Sequence, residues 1–426
     1  MAAGEETLHI GIDDTDSKDG MCTTYVGAVL FDSLRNMGAR MLDHPYLVRL
    51  NPNCPYKTRG NAAIALHVGL GRERVEDAKK QVLALVERLY EHGYGETQPG
   101  VAFILGEVSG ELARFAEKAV RELVSLDEAL ELASSHGAEL HGFNGGRGRI
   151  GALAAASYRM DEYTFEAIAY RVPENWGTVR RIDSESVRVM DEATRGETFD
   201  NIDPETGELR IAPHTPCPVL AGVRAVSAEA ALRGLGMVRF NEPVERVVVF
   251  KTNQATDKHL VECSIAELRA NMSAVISGVV CSPPYTIPGG HTFIRIRDAG
   301  GEIICAAYEP TREFRNIVRS LVPGDRVRVM GGVKMKPEGL TLNMEKLEIL
   351  ALAEHYVLRP PLCPCCGRRM KSAGRDEGYR CKRCGKRLPR SAAEKQPLER
   401  KIKPGFYEVP PSARRHLTRP LLLHRV

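Results

Sequence analysis

Apolar residues recur along this chain in two rhythms, and the change from one to the other divides it. Between positions 72 and 92, Val75, Ala78, Val82, Leu85, Val86 and Leu89 share one face at helical spacing, the mark of an amphipathic helix laid on a core. Further helices are predicted over 22–37, 110–121 and 126–134, and strands over 7–13, 44–50, 62–69 and 101–105. Residues 1–134 therefore read as a mixed α/β unit. A second unit is expected over 135–270, with strands at 138–143, 163–171, 219–226 and 245–251 and helices at 150–157 and 228–235. Two βαβ-like halves of this kind suit a ferredoxin-like α+β sandwich. The segment 172–218, rich in Pro, Gly and charge, is expected to be largely loop, and loops of that length are usually functional or disordered.

From 271 the period becomes two. Apolar alternation appears at 274–280, 292–297, 302–307, 326–333 and 340–349, with a short helix, 311–321, between the third and fourth runs. Five strands with a helix in that slot are the order of an OB-fold barrel over 271–352, another small β-barrel being the alternative. Pro360-Pro361 marks a linker in the small cysteine domain 353–395. The Pro-rich, basic tail 396–426 is a candidate for disorder. The expected architecture is thus multidomain, α/β plus β, without internal repeats.

A chain of 426 residues is too long for one core. No stretch of 18 apolar residues suggests a membrane span, and the first residues carry neither the basic start nor the apolar run of a secretory signal. Residues 354–426 hold 19 Lys and Arg against 6 Asp and Glu, whereas the rest of the chain is net acidic. A basic tail on an acidic body suggests polyanion binding in one part and catalysis in the other; a solubilising tail is the plainer alternative. Five of the eleven cysteines cluster between 363 and 384, a pattern of an intracellular, cytoplasmic protein with a metal site rather than of a disulfide scaffold.

Candidate chemistry is concentrated in Gly11-Ile-Asp-Asp-Thr-Asp-Ser17, where Asp13, Asp14 and Asp16 directly follow the apolar run 8–12. Three like charges in one loop are unfavourable unless a hard cation joins them. Mg²⁺ fits, because it takes carboxylate oxygen and leaves room for substrate phosphate. A solvated acidic turn with a helix cap is the plainer alternative. Gly145-Gly-Arg-Gly-Arg149 could cradle phosphate on its backbone N–H groups, or be a simple turn, since it is not a Walker A sequence. The loop Asn51-Pro-Asn-Cys-Pro-Tyr-Lys-Thr-Arg-Gly-Asn61 offers Lys57 and Arg59 to phosphate. Thr198-Phe-Asp-Asn-Ile-Asp203 and His214-Thr-Pro-Cys-Pro218 are in isolation ordinary loop residues. Cys363-Pro-Cys-Cys366 and Cys381-Lys-Arg-Cys384, with fourteen residues between the pairs, place four thiolates for a closed, structural Zn²⁺ site. Cys365 is surplus. Arg368, Arg369, Lys382 and Arg383, interleaved with these knuckles, suit a nucleic-acid backbone.

Taken together, the first aspartate motif with Gly20-Met-Cys-Thr-Thr-Tyr25, the 51–62 loop, Gly146-Arg-Gly148 and Pro213-His-Thr-Pro-Cys-Pro-Val219 resemble the archaeal agmatidine synthetases. These are the 2-agmatinylcytidine synthetases of the minor isoleucine tRNA, the TiaS family, and the resemblance spans the whole chain. It implies an ATP-dependent ligase that activates the oxygen-bearing C2 carbon of the wobble cytidine. Agmatine then displaces that oxygen, AMP and phosphate leave, and the anticodon reads AUA. It further implies that Asp13, Asp14 and Asp16 bind Mg²⁺ and that Thr23 becomes phosphorylated. Lys57, Arg59, Gly146, Arg147 and Gly148 would then face ATP. A kinase-like N-terminal domain and a ferredoxin-like second domain would carry the chemistry, while the OB and ribbon domains hold the acceptor stem. Agmatine's guanidinium needs acidic acceptors, for which Asp200 and Asp203 are candidates. Two rivals remain: a kinase acting on another substrate with an RNA-binding OB and ribbon module, and a pure RNA binder. The first lacks the usual kinase signatures; the second has no use for clustered aspartates that repel RNA.

Overall fold

The computed structural model describes residues 4–374 and 377–425. The two α/β units share one ten-stranded sheet. Its order is Glu139–Gly142, Gly100–Leu105, Glu5–Asp13, Ala62–Gly71, Tyr46–Arg49, Val244–Thr252, Thr164–Arg171, Val219–Ala225 and Thr198–Phe199, with Arg40–Met41 paired to Ala62–Gly71. The halves join where Val244–Thr252 runs parallel to Tyr46–Arg49, setting Lys251 opposite Tyr46.

Strand Ala62–Gly71 is buried from Ala63 to Leu70, His67 included, because both of its faces are covered. Ile64, Leu66 and Val68 pack under helices Thr23–Asn36 and Val75–Leu89, while Ala63 and Ala65 meet helices Gly110–Arg121 and Arg149–Ser157 on the other side. That last helix approaches unusually closely. A Cβ on Gly11 would lie 1.9 Å from the Ala152 carbonyl, and one on Gly100 equally close to the Arg149 nitrogen. Glycine on the strands and the small residues of the helix therefore press its N-terminus against the end of strand Glu5–Asp13.

Segment 172–218 is mostly irregular, but it contains helix Ser184–Ala193. The Asp183 carboxylate caps it by accepting from the Glu185 and Ser186 N–H groups, and Val187 and Met190 are buried. The expectation of loop missed it because the apolar stripe is only two residues deep. Strands Ser273–Val280, Thr292–Asp298, Gly301–Ala307, Arg326–Lys336 and Gly339–Ala351 form the OB barrel, closed where Val279 meets Arg297. The helix in its expected slot shortens to Phe314–Arg319. A two-stranded stalk, Tyr356–Arg359 with Glu394–Pro397, carries the cysteine module.

The C-terminal tail is ordered, contrary to its composition. Strand Gly405–Glu408 adds to Gly339–Ala351. The chain then turns back to the α/β sheet, where Ala255 N–H donates to the His416 carbonyl at 2.8 Å and Asp257 N–H to that of Leu417 at 2.8 Å. Two of its arginines find carboxylates instead of solvent: Arg415 pairs with buried Glu345 at 2.9 Å and Arg414 with Glu408 at 2.7 Å. Among the described residues no helix is long and apolar enough to cross a membrane.

Candidate active site

The carboxyl end of strand Glu5–Asp13 opens into a cavity of about 390 Å³, within the size range of small-molecule sites. Its walls come from seven stretches of chain: the aspartate loop with Thr23, the 49–62 loop, residues 119–124, the turn at 147–151, strand Thr164–Arg171, the 210–219 segment with strand Val219–Ala225, and the tail at His416.

Asp13, Asp14 and Asp16 all line it. Asp14 adopts φ 56°, which turns the backbone so that its own N–H reaches Asp13 Oδ1 at 2.7 Å. Asp14 accepts from Gln98 N–H at 2.9 Å and from the Thr58 hydroxyl at 3.1 Å. Arg59 donates to Asp16 at 2.6 Å. Burial pushes all three carboxyls above their ordinary range; Asp14 and Asp16 add to the rise at Asp13, whereas Arg59 opposes it at Asp16. Helix Arg149–Ser157 begins here, with Gly148 as its N-cap. A Cβ on Gly151 would sit 1.8 Å from Asp13 Oδ2, so only glycine lets the carboxylate lie against this helix. The trio is not a closed cage, since among the described residues only the cysteines bring three or more ligand atoms within 4.8 Å. Such an open, buried and charge-strained set matches Mg²⁺, which keeps waters and substrate phosphates as ligands.

Thr23 is the first residue of helix Thr23–Asn36, and its hydroxyl accepts from that of Thr15 at 3.1 Å. A phosphate there would meet the positive end of the helix. Arg59 ties the loops together, donating also to Thr215 at 3.0 Å. Lys57 donates to the Pro52 carbonyl, and burial beside Arg415 and Lys334 lowers its ammonium to about 8. Gly146 lies in the left-handed region at φ 64°. Arg147 stacks on the exposed Tyr56 ring at 3.8 Å, bridging two walls.

The opposite wall holds residues that sequence reasoning missed: Arg49, Arg210, Arg224, Glu166 and His416. They are scattered over more than 360 positions, so no local pattern announces them. Arg224 reaches Glu166 at 3.5 Å, and Gln254 donates to the same carboxylate at 2.6 Å. Burial lowers the Arg49 guanidinium to about 10, with Glu166 opposing and Arg224 adding. The Nε atoms of Arg49 and Arg224 are buried without a hydrogen bond, that of Arg224 facing Glu166 only across the 3.5 Å ion pair.

Asp200 and Asp203 are not brought to the cavity. Asp200 pairs with Arg414, and Asp203 accepts from Ser412 N–H at 3.2 Å; both carboxylates hold the tail. His214 lines the cavity but faces Glu208 at 3.3 Å. Far from the cavity in sequence, Cys363, Cys366, Cys381 and Cys384 gather their sulfurs within 4.8 Å of one another, the arrangement a tetrahedral Zn²⁺ needs, with Cys365 outside it and exposed. In the same module Arg369 pairs with Glu394 at 2.7 Å, and Arg368, Lys382 and Arg383 are exposed.

Family profiles match four consecutive parts of the chain: the TiaS TCKD domain at 9–145, the TiaS FLD domain at 146–259, an OB-fold nucleic acid binding domain at 274–350 and the TiaS C-terminal zinc ribbon domain at 360–402. The tRNA 2-agmatinylcytidine synthetase TiaS of Pyrococcus horikoshii is 46% identical, covering 98% of this chain and 97% of that one. The chain belongs to the TiaS family. The Archaeoglobus fulgidus member is 43% identical over 97% of this chain and 96% of its own length. A solved complex of TiaS with its isoleucine tRNA and ATP superposes with a TM-score of 0.89 at 40% identity, over 98% of this chain and 97% of that one. A complex of TiaS with the same tRNA, AMPCPP and agmatine gives 0.87 at 38%, over 99% and 98%. The OB barrel and zinc ribbon expected from the sequence are therefore present, in the expected order.

Proposed function

We propose that this cavity joins agmatine to the C2 carbon of the wobble cytidine of the minor, AUA-reading isoleucine tRNA, consuming ATP and releasing AMP and phosphate. The chain is then an ATP-dependent C–N ligase acting in the cytoplasm, where its free cysteines stay reduced. The observation that carries the reading is the buried aspartate trio beside Thr23, in one cavity with a cationic wall, in a chain related to TiaS along its whole length.

Phosphoryl transfer needs positioning and charge neutralisation more than covalent help. In this reading the unit 1–134 is the kinase-like catalytic domain. Asp13, Asp14 and Asp16 hold Mg²⁺, which when bound offsets polyphosphate charge. Thr23 accepts a phosphoryl group at its helix start, close to the Thr15 hydroxyl. Lys57, Arg59, Arg147 and the backbone at Gly146 and Gly148 receive the phosphates; Arg59 must share itself between Asp16 and the nucleotide. The base enters by leaving its stack, past the Tyr56–Arg147 bridge. Glu166, rather than Asp200 or Asp203, is the carboxylate on the second wall able to face agmatine's guanidinium. The OB barrel and ribbon hold the acceptor stem, with Zn²⁺ fixing the fold of the ribbon.

The test is AMP release from ATP in the presence of agmatine and a transcript of the minor isoleucine tRNA. AMP should appear with the wobble cytidine and not with uridine in its place. ATP consumption indifferent to that base would favour the kinase reading instead.

A further inference from the structure

Between Arg415 and Leu417, both packed against other elements, the tail turns one side chain into the cavity. His416 stays accessible to solvent, and among the described residues its ring makes no hydrogen bond to protein. Its backbone, by contrast, is clamped: the carbonyl accepts from Ala255, the carbonyl of the next residue accepts from Thr256 and Asp257, and Arg415 is anchored on Asn53 at 2.9 Å. A rigid mount with a free ring is what a pre-organised functional group requires. Gly60 lies beside both the ring and Arg49: a Cβ there would touch the imidazole at 3.5 Å and crowd Arg49 Nη1 at 2.7 Å.

We propose that His416 is the general base that removes a proton from agmatine's primary ammonium, an inference that rests on the function proposed above. The ring faces Arg49 on strand Tyr46–Arg49, Lys57 in the polar loop, Arg210 on the 210–219 segment and Arg224 on strand Val219–Ala225, with Glu166 and its neighbour Arg415 completing the surroundings. Arg49 first, with Arg224, Lys57 and Arg210 beside it, holds the imidazole well below its usual range, so it is neutral, with one ring nitrogen free to take a proton. Neighbouring cations also ease proton loss from an incoming ammonium, as burial beside Arg415 and Lys334 does for Lys57. Other bases here are engaged: Glu166 by Gln254 and Arg224, and His214 by Glu208.

The step balances. The ammonium gives one proton to the imidazole, and its lone pair forms the N–C2 bond. The C2–O bond breaks, and the activated oxygen leaves with its electron pair and ATP-derived group, taking the second amine proton. The imidazolium then releases its proton to solvent through the open cavity.

His416→Ala and His416→Gln are compared with wild type for transfer of labelled agmatine to the minor isoleucine tRNA, with Tm as a folding control. The expected result is a fall of about 100-fold or more in transfer rate at saturating agmatine. KM for agmatine should change little, Tm should be unchanged, and added imidazole should restore His416→Ala. A less basic amine in place of agmatine should suffer a smaller defect. Undiminished transfer in the variants overturns the proposal, as does a loss that imidazole does not restore and amine basicity does not alter. Wild type that transfers no agmatine overturns the parent reading and this one with it.

Discussion

Charge is buried in two places in this molecule, and the two are built on opposite terms. Where the ferredoxin-like unit, OB barrel and tail meet, opposite charges are paired: Glu345 contacts His259 at 3.0 Å and Arg415 at 2.9 Å and accepts from Thr418 at 2.6 Å, while Lys346 meets Asp257. Burial alone would raise the Glu345 carboxyl, yet His259, Arg415 and Thr418 hold it down at about 2. In the cavity, Asp13, Asp14 and Asp16 share one space with Arg49, Arg210 and Arg224, and burial works against the charged forms of Asp13 and Arg49 alike. Satisfied charge fastens domains together; unsatisfied charge waits for a ligand to complete it.

The sharpest way to break this contrast is Asp13→Asn. Turnover of ATP should fall about 1,000-fold or more if the carboxylate serves the metal. Metal-free protein should melt at an equal or higher temperature, because a carboxyl raised in the fold costs stability when ionised. A clear drop in Tm would make Asp13 structural. Glu345→Gln should do the reverse, destabilising by about 3–5 kcal/mol as one partner of a buried network is removed. Urea unfolding measures this, and an unchanged midpoint would dissolve the distinction.

Smaller effects follow from the periphery. Chelating zinc, or deleting 360–402, should weaken tRNA affinity about tenfold and flatten its salt dependence by about one unit of slope for each phosphate no longer neutralised. A titration at several salt concentrations reads both, and an unaltered slope removes Arg368, Arg369, Lys382 and Arg383 from the RNA path. The least effect is expected from pH. Glu345's contribution is complete above 4.5 and erodes as pH falls toward 2, whereas acid relieves the aspartate trio, whose carboxyls are raised. Metal-free Tm should thus hold or rise slightly on mild acidification before falling below about 4.5, and Glu345→Gln should have a shallower falling limb, since Asp43, Asp203 and Asp325 are also held low.

What could be read from the sequence was what is local. The aspartate loop, the two cysteine knuckles and the period-two rhythm of the barrel each sit within a short window, and their chemistry follows from residue type and spacing. The Ser184–Ala193 helix escaped because Val187 and Met190 are its only buried apolar residues. The tail escaped for a different reason: its arginines look solvated until Glu345 and Asp200, from other segments, are brought to them. Asp200 and Asp203 were misplaced on the same ground, their partners lying more than 200 positions away. Glu166 and Arg224 become neighbours only once strands Thr164–Arg171 and Val219–Ala225 pair, and His416 joins the cavity only when the tail folds back.

The account stands on the cavity carrying out agmatine transfer to RNA. Incubating the full chain with ATP, labelled agmatine and a transcript of the minor isoleucine tRNA tests this directly. Label should become covalently attached to the wobble cytidine, in wild type and not in Asp13→Asn. ATP consumed with no label on the RNA would contradict it.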